Sequence, residues 1–215
     1  MLLPKRENIH HTEIADPLKF YYLPFSRGFY VRRLEIISSM LGINHYENLL
    51  DIGCGSGIFM KELETKCRNL YAIDIHRKMH LVKDMTGKER IRTHLCEGSI
   101  TNLPFVSDSF DCIVSVSVIE HVRDLDNAFD EMKRVTNKNA TIILGFPVKN
   151  LFTDMILNLA YRLLPNAKLE DEHVSNQNGI IRAAQKRFDL IHTYHFPSFL
   201  PLSFSFYCIL KIDKS

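Results

Sequence analysis

The chain lacks several features that mark common protein classes. Its 215 residues carry a net charge of only +2, and no dense run of lysine and arginine is interleaved with aromatic residues. This balance disfavours RNA or DNA as a substrate. No apolar stretch approaches the ~20 residues that a membrane span needs, and the first ten residues lack the apolar core of a signal peptide. We therefore expect a cytoplasmic protein without a membrane span.

Paired cysteines are also missing. The five cysteines are an odd number and include no C-x-x-C pair, which is typical of reduced thiols in an intracellular protein. Hydrophobic residues make up 46% of the chain, enough to bury a full core. The length and composition together predict one domain, with no segment whose composition indicates disorder.

Residues 49–57, with the sequence LLDIGCGSG, combine a short apolar run with three alternating glycines, Gly53, Gly55 and Gly57. The pattern predicts a strand that ends in a tight turn and opens a helix. Glycine is the usual residue where the backbone takes a positive φ or lets a ligand approach closely. We therefore expect a ligand on this turn.

Charge and spacing narrow the choice of ligand. The dinucleotide fingerprint is G-x-G-x-x-G, but here the third glycine comes one residue early and Ile58 stands where a small residue is required. The carboxylate of Asp51 would repel a phosphate and attract a cation, so a cofactor carrying an ammonium and a sulfonium fits better. Asp74 ends a second apolar strand, where it can accept hydrogen bonds from ribose hydroxyls.

Four blocks, residues 50–57, 72–74, 97–105 and 110–122, carry a family likeness. In this order and spacing the chain resembles the class I S-adenosylmethionine-dependent methyltransferases, specifically their small-molecule enzymes, over roughly residues 45–148. The resemblance implies S-adenosyl-L-methionine as cofactor and a small-molecule methyl acceptor. The predicted cofactor-binding residues are Asp51, Gly53, Cys54, Gly55, Gly57, Asp74, Ile75, Ser99, Ile100, Ser115 and Val116.

Two of these residues need separate comment. Cys54 is interpreted as a backbone contact and not as a nucleophile, because the family tolerates several small residues there. Many relatives carry an aspartate at the position of Ser99, which accepts a hydrogen bond from the adenine amino group. A hydroxyl can accept that bond too, but more weakly than a charged group.

The alternation of strands and helices predicts a doubly wound, Rossmann-like α/β fold with a mostly parallel seven-stranded sheet and helices on both faces. Strands are expected near 48–53, 69–74, 91–96, 110–116 and 139–146, and helices near 57–66, 76–86 and 124–136. The resemblance implies a C-terminal antiparallel hairpin at 188–196 and 204–212. There, Ser203 and Ser205 alternate with Phe204 and Phe206 at the period of a buried strand.

A single methyltransferase domain over residues 1–215 is predicted to have four parts. Residues 1–44 form an N-terminal cap and a helix at 26–41, residues 45–148 the cofactor-binding core, residues 149–176 a substrate lid, and residues 177–215 the last helix and the hairpin. In the lid, residues 151–164 carry an apolar stripe at helical spacing, and residues 170–172 are acidic. Ser175 is expected to cap a helix that runs to about Lys186.

The catalytic residues stay open. Some metal-dependent relatives carry Glu-x-x-Glu-His where this chain has Ser117, Glu120 and His121, and the missing first glutamate leads us to predict no metal, although a site that includes His173 remains an alternative. A general base is needed only for a hydroxyl or amine acceptor. The candidates are His121, His173, Tyr21 and Tyr22, unranked, and Tyr21, Tyr22 and Arg27 are candidates to face the site.

Methyl transfer asks mainly that acceptor and methyl group be held in line. Two other functions stay open from the sequence. One is a non-catalytic S-adenosylmethionine-binding protein of the same fold, and the other is a nicotinamide oxidoreductase. The sequence identifies neither the acceptor nor an oligomeric state.

Overall fold

A seven-stranded sheet forms the centre of the computed structural model, which describes residues 1–12, 17–43, 45–148 and 174–214. The strands are β1 (Tyr46–Ile52), β2 (Cys67–Asp74), β3 (Thr93–Glu97), β4 (Phe110–Val116), β5 (Thr136–Pro147), β6 (Ile191–Phe196) and β7 (Tyr207–Asp213). Their order is β3-β2-β1-β4-β5-β7-β6. β1 to β5 pair in parallel, and β7 runs antiparallel to both β5 and β6. The predicted fold class, including its C-terminal antiparallel strands, is confirmed.

Helices cover both faces of this sheet. They are α1 (Pro24–Leu41), α2 (Met60–Leu63), α3 (Met79–Glu89), α4 (Leu125–Val135) and α5 (Gln177–Gln185). Because side chains alternate along a strand, Leu49 and Ile143 join the apolar cluster of α1, α2 and α3, whereas Leu50 and Ile142 join that of α4 and α5. Each central strand therefore contributes to two cores. None of the helices in the described part of the chain is long and apolar enough to cross a membrane.

The helix predicted at 57–66 is shorter than expected. Residues 60–63 are α-helical, and a 3₁₀ turn, Glu64–Lys66, follows directly. The amide of Gly57 donates to the carbonyl of Cys54 at 2.8 Å, and the amide of Met60 donates to the carbonyl of Gly57 at 3.2 Å. Successive tight turns thus occupy the first residues of the predicted helix.

Two further predictions near the C-terminus are wrong. Asn176, and not Ser175, caps α5, since its side chain accepts from the amide of Gly179, while the hydroxyl of Ser175 donates to the carbonyl of Val122. The last strand begins at Tyr207 and not at 204. A 3₁₀ turn, Leu202–Phe204, precedes it and leaves Phe204 51% exposed, so no alternating buried strand forms there.

The N-terminal arm, residues 1–12, is fastened to α2 and α3. The amide of Leu2 donates to Glu62 at 2.7 Å, and the amide of Lys5 and the side chain of Asn8 donate to Glu89 at 2.9 and 2.6 Å. Lys61 completes the contact with an ion pair to Glu89 at 2.5 Å. The predicted lid helix at 151–164, the acidic run at 170–172 and His173 lie outside the described residues.

Candidate functional site

A cavity of about 380 Å³ opens at the carboxyl ends of β1 and β2, beside the loops that follow β3 and β4. Ligands of open α/β sheets bind at this edge. Five residues predicted to contact the cofactor line the cavity, namely Gly53, Asp74, Ile75, Ser99 and Ile100. Thr101, Val118, His121 and Arg123 line it as well. Among the described residues before β1, none does.

The three glycines after β1 all have positive φ, with values of 74°, 53° and 83° at Gly53, Gly55 and Gly57. A Cβ atom on Gly53 would lie 2.1 Å from a methyl carbon of Val118, and one on Gly57 would lie 2.5 Å from the terminal methyl of Met85. A Cβ atom on Gly55 would meet no atom within 4 Å. Gly53 and Gly57 therefore combine conformation with close packing, whereas Gly55 is constrained by conformation alone.

Asp74 binds the glycine turn directly. Its Oδ2 accepts from the amide of Gly55 at 2.7 Å, and its Oδ1 accepts from the amide of His76 at 3.2 Å. A carboxylate has about four lone-pair positions, so both oxygens can accept further bonds from a ligand. The side chain of Asp74 therefore lies at the cavity and is held there by its hydrogen bonds to the turn.

Asp51 is 4% exposed, although it is an acidic residue inside β1. Burial, and then the nearby charge of Asp74, raise the pKa of Asp51 to about 7. Burial of Cys54, together with the nearby carboxylates of Asp51 and Asp74, raises the pKa of its thiol well above the usual range. Cys54 therefore stays a thiol at neutral pH, which agrees with its interpretation as a backbone contact.

Ser99 lies on the cavity wall in a compact turn. Its hydroxyl accepts from the amide of Thr101 at 3.2 Å and lies 2.9 Å from the hydroxyl of Thr101. Ser115 behaves differently, because its hydroxyl donates to the carbonyl of Ile52 at 3.0 Å within the sheet. Val116, at the end of β4, packs against the α1 side of the core. Neither Ser115 nor Val116 lines the cavity.

The loop after β4 brings His121 to the cavity, while Glu120 is 1% exposed. The backbone carbonyl of Glu120 accepts from the amides of Val174 and Ser175, both at 2.9 Å. Within the described ranges no group of three His, Cys, Asp or Glu side chains is arranged to hold a metal ion. His173, the third residue of the alternative metal site, is not among these residues.

The N-terminal tyrosines make internal contacts. The hydroxyl of Tyr22 donates to the carbonyl of Pro4 at 2.7 Å, and burial raises its pKa to about 12. Tyr22 therefore faces the N-terminal arm, which corrects its place among the candidate bases. The hydroxyl of Tyr21 accepts from Arg33 at 2.9 Å. Arg27 lines a separate groove of about 750 Å³ between α1 and the β6–β7 connection.

The sequence analysis did not single out three residues that contact the glycine turn or the residue after β4. His76 contacts the glycine turn, Val118 covers Gly53, and Arg33 reaches the residue after β4. A polar residue soon after an apolar strand was a signal for His76. Val118 and Arg33 have ordinary surroundings in the sequence, and their contacts are visible only in the folded chain.

Comparison with known proteins identifies the same region. A family model described as a methyltransferase domain matches residues 50–144. The biotin biosynthesis bifunctional protein BioHC of Saccharophagus degradans is 31% identical over 101 residues, which cover 46% of this chain and 18% of that protein. A demethylmenaquinone methyltransferase of a Roseiflexus species is 33% identical over 94 residues, 43% of this chain and 40% of that protein. The chain thus spans less than half the length of these curated relatives.

The fold of this chain is also similar to that of solved structures. Phosphoethanolamine N-methyltransferase 2 of Haemonchus contortus, in complex with phosphomonomethylethanolamine and S-adenosylhomocysteine, superposes with a TM-score of 0.65. The match covers 94% of this chain and 60% of that one, at 15% sequence identity. The shared feature at this identity is the fold.

Proposed function

We propose that this chain is a class I S-adenosylmethionine-dependent methyltransferase, that its 380 Å³ cavity binds S-adenosyl-L-methionine and that it transfers the methyl group to a small molecule. One observation carries the proposal. Gly53, Asp74 and Ser99 come from the ends of three different strands and line one cavity.

The residues present suit the parts of this cofactor. Asp74 would accept hydrogen bonds from the ribose hydroxyls with the lone pairs that the turn leaves available. Ile75 is 77% exposed at the cavity wall, and together with Ile100 it offers an apolar surface to the adenine ring. Ser99 would face the adenine amino group. The buried carboxylate of Asp51 would be stabilised by the cationic end.

The remaining predicted contacts are backbone contacts. Gly53, Cys54, Gly55 and Gly57 form the turn over which the methionine end would lie, and Ser115 and Val116 end β4 beside it. Packing of Val118 on Gly53 keeps the turn close to the loop after β4. Glycine at position 53 is what allows this close approach.

When bound, the cofactor supplies a methyl group that its sulfonium already activates for in-line displacement. The protein has to hold the acceptor in line with that methyl, an effect worth up to about 7–11 kcal/mol. We propose a small, at least partly apolar acceptor enclosed by residues 148–176, supported by the apolar stripe in 151–164 and by the acidic run that follows it.

Calorimetry tests the cofactor. S-adenosylhomocysteine should bind and NADH should not. Asp74→Ala should weaken the binding of S-adenosylhomocysteine about tenfold or more, because a hydrogen bond to a charged group is lost. Asp84→Ala, an exposed aspartate on α3, is the control and should bind like the wild type. Binding of NADH, or none of S-adenosylhomocysteine, would refute the proposal.

A second experiment separates the enzyme from a non-catalytic binder. Transfer of labelled methyl from S-adenosylmethionine should be measured over a panel of hydroxyl, amine, thiol and carbon acceptors. With an acceptor found, hydrogen exchange in 148–176 should slow beyond the effect of S-adenosylhomocysteine alone. Exchange there that is already slow without ligands and does not change would contradict the enclosed acceptor.

A further inference from the structure

The groove of about 750 Å³ between α1 and the β6–β7 connection is built from three segments of the chain. The N-terminal arm contributes Met1 and Leu3, α1 contributes Pro24 and Phe29, and the strands beside the connection contribute Phe196 and Phe206. The ring centroid of Phe29 lies 6.1 Å from that of Phe196 and 6.3 Å from that of Phe206. The apolar walls are therefore part of the packed body of the protein.

Large apolar side chains are exposed around this groove. Phe199, two residues after Pro197 of the wall, is 83% exposed. Leu23, next to Pro24 of the wall, is 47% exposed, and Met1 is 40% exposed. Apolar side chains that are exposed singly are common on protein surfaces, whereas a group of them marks an interaction site. Here three segments of the chain each supply one around the same groove.

The charged side chains at the groove are two arginines and one glutamate. Arg27 and Arg32 line it together with Glu35, which pairs with Arg32 at 3.2 Å. Arg27 is exposed on α1, and within the described ranges its guanidinium makes no hydrogen bond or ion pair. Two arginines against one glutamate leave one positive charge without an anion. The surface around the groove is therefore both apolar and cationic.

The groove lies at the same edge of the sheet as the candidate cofactor site. Phe196 ends β6 opposite Tyr207, which begins β7, and Tyr207 pairs in turn with Pro147 at the end of β5. Because β5 is parallel to β4 and β4 to β1, the β6–β7 connection emerges at the carboxyl ends of the parallel strands. The 380 Å³ cavity opens at these same ends.

We propose that the groove and its exposed side chains, Met1, Leu23, Arg27 and Phe199, form a docking surface for an anionic lipid bilayer. The apolar side chains enter the boundary between headgroups and acyl chains, and Arg27 meets the acidic headgroups. Binding of this kind combines buried apolar area with electrostatic attraction.

The charge of the surface favours lipid over a second copy of the chain. A symmetric dimer through this face would bring the same patch of both copies together, and with it two Arg27 side chains without an anion. An acidic lipid surface supplies the anions. A fluid bilayer also surrounds side chains that project from three separate segments, whereas a second copy has to match their shape.

Tryptophan fluorescence tests where the protein meets the lipid. The chain contains no tryptophan, so a single introduced one reports only its own surroundings. Phe199→Trp places it at the docking surface. The matched control is Val106→Trp, at a 77% exposed position shortly before β4 begins and so at the opposite edge of the sheet. Both are mixed with phosphatidylcholine vesicles with or without phosphatidylglycerol, and with ordinary or brominated acyl chains.

With the anionic vesicles, the emission of Phe199→Trp should move to shorter wavelength and be quenched by the brominated chains. Val106→Trp should show neither change. A Phe199→Trp emission that no vesicle alters would overturn the proposal, as would equal responses of the two probes.

Vesicle flotation measures the partition coefficient. Phe199→Ser should lower it about tenfold or more, because an aromatic side chain no longer leaves water. Arg27→Gln should lower it about fivefold, and only on vesicles that contain phosphatidylglycerol. Val106→Ser and Arg68→Gln, which changes an exposed arginine paired with Glu47, are the controls and should bind like the wild type.

Other occupants of the groove give different results. Wild-type protein that floats with no vesicle at low salt would overturn the proposal, the result also expected if residues 149–173 of the same chain cover the groove. A lipid-free dimer that Phe199→Ser dissociates in sedimentation velocity would assign the face to a second copy instead. Equal binding to neutral and anionic vesicles would refute the role of Arg27 and with it the anionic lipid.

Discussion

The Nε2 atom of His76 lies 2.9 Å from the backbone carbonyl oxygen of Gly55, 21 residues away in the sequence. The amide of Lys78 donates to Nδ1 of the same ring at 3.1 Å, so Nδ1 is an acceptor and Nε2 carries the proton. The amide of Gly55 donates in turn to Asp74. Both backbone groups of Gly55 are thus held by residues at the end of β2, and the turn and the carboxylate form one unit.

His76→Ala should weaken the binding of S-adenosylhomocysteine about two- to tenfold, because the carbonyl of Gly55 loses one neutral hydrogen bond. Calorimetry measures the affinity, and thermal unfolding checks that the variant folds. His80→Ala, an exposed histidine on α3, is the control and should match wild type. Equal affinities for all three proteins would show that the turn keeps its shape without His76.

The buried carboxyl of Asp51 should make stability depend on pH. With a folded-state pKa of about 7 and an ordinary unfolded value, the folded protein retains the Asp51 proton to a higher pH than the unfolded chain. The free energy of unfolding should therefore fall as pH rises from about 4 to 7, by at most about 4 kcal/mol. Urea unfolding of wild type and Asp51→Asn over this range measures it.

Asp51→Asn should remove this slope and leave the variant the more stable protein at pH 8. Saturating S-adenosylhomocysteine should narrow the difference at pH 8, since the cationic end of the ligand stabilises the ionised carboxylate. Parallel pH profiles for the two proteins would contradict the assigned role of Asp51.

Gly53→Ala should destabilise the fold and abolish measurable binding of S-adenosylhomocysteine. The new Cβ would lie 2.1 Å from Val118 at a φ of 74°, so the clash adds to the conformational strain. Gly55→Ala is the control, because its φ of 53° costs only about 1–2 kcal/mol and its surroundings are open. In the double variant with Val118→Ala, part of the lost stability should return. If the double variant regains no stability, backbone strain alone explains why residue 53 has to be glycine.

Ser99→Asp should preserve or tighten binding of S-adenosylhomocysteine, by up to about tenfold. An aspartate can still accept from the amide of Thr101, as Ser99 does, and its charge strengthens a bond from the adenine amino group. Ser99→Asn is the control that keeps the turn without the charge. Weaker binding in the aspartate variant than in the asparagine variant would show that adenine does not meet this position.

Glu89→Gln should lower the free energy of unfolding by about 1–3 kcal/mol. Burial raises the pKa of Glu89, but hydrogen bonds from Lys61, Asn8 and the amide of Lys5 outweigh it and hold the pKa at about 2. The ionised group therefore stabilises the fold above its unfolded pKa, and this contribution is lost as pH falls towards 2. Asp84→Asn breaks only an exposed pair with Lys88 and should cost less than about 0.5 kcal/mol. Equal losses in the two variants would contradict the role given to Glu89.

Local patterns were sufficient to predict most of the sheet. Residues 110–116 were predicted as a strand, and β4 occupies the same range, because a continuous apolar run between turn residues suits a strand buried on both faces. The positions of the glycine turn and of Asp74 followed from the same strand endings. The strand prediction for residues 203–206 was wrong, because Pro201 and the contacts of the β6–β7 connection favoured a 3₁₀ turn.

The contacts that could not be predicted join residues far apart in the sequence. Arg33 and Ser117 are 84 residues apart, and neither has a neighbour in sequence that signals the contact. Likewise, only the fold brings Val118 onto Gly53. Periodicity identifies which face of α1 is apolar, but it does not show that Arg33 lies against the rings of Tyr30 and Tyr207.

The strand order β5-β7-β6 has a consequence for the growing polypeptide. β7 comes after β6 in the chain yet lies between it and β5, so β6 has no strand to join until residues 207–213 have left the ribosome. Until then the edge of β5 presents unpaired backbone beside apolar residues such as Ile142 and Leu144. Exposed edges of this kind recruit other chains. The edge of β5 therefore stays open to pairing with another chain until β7 has formed.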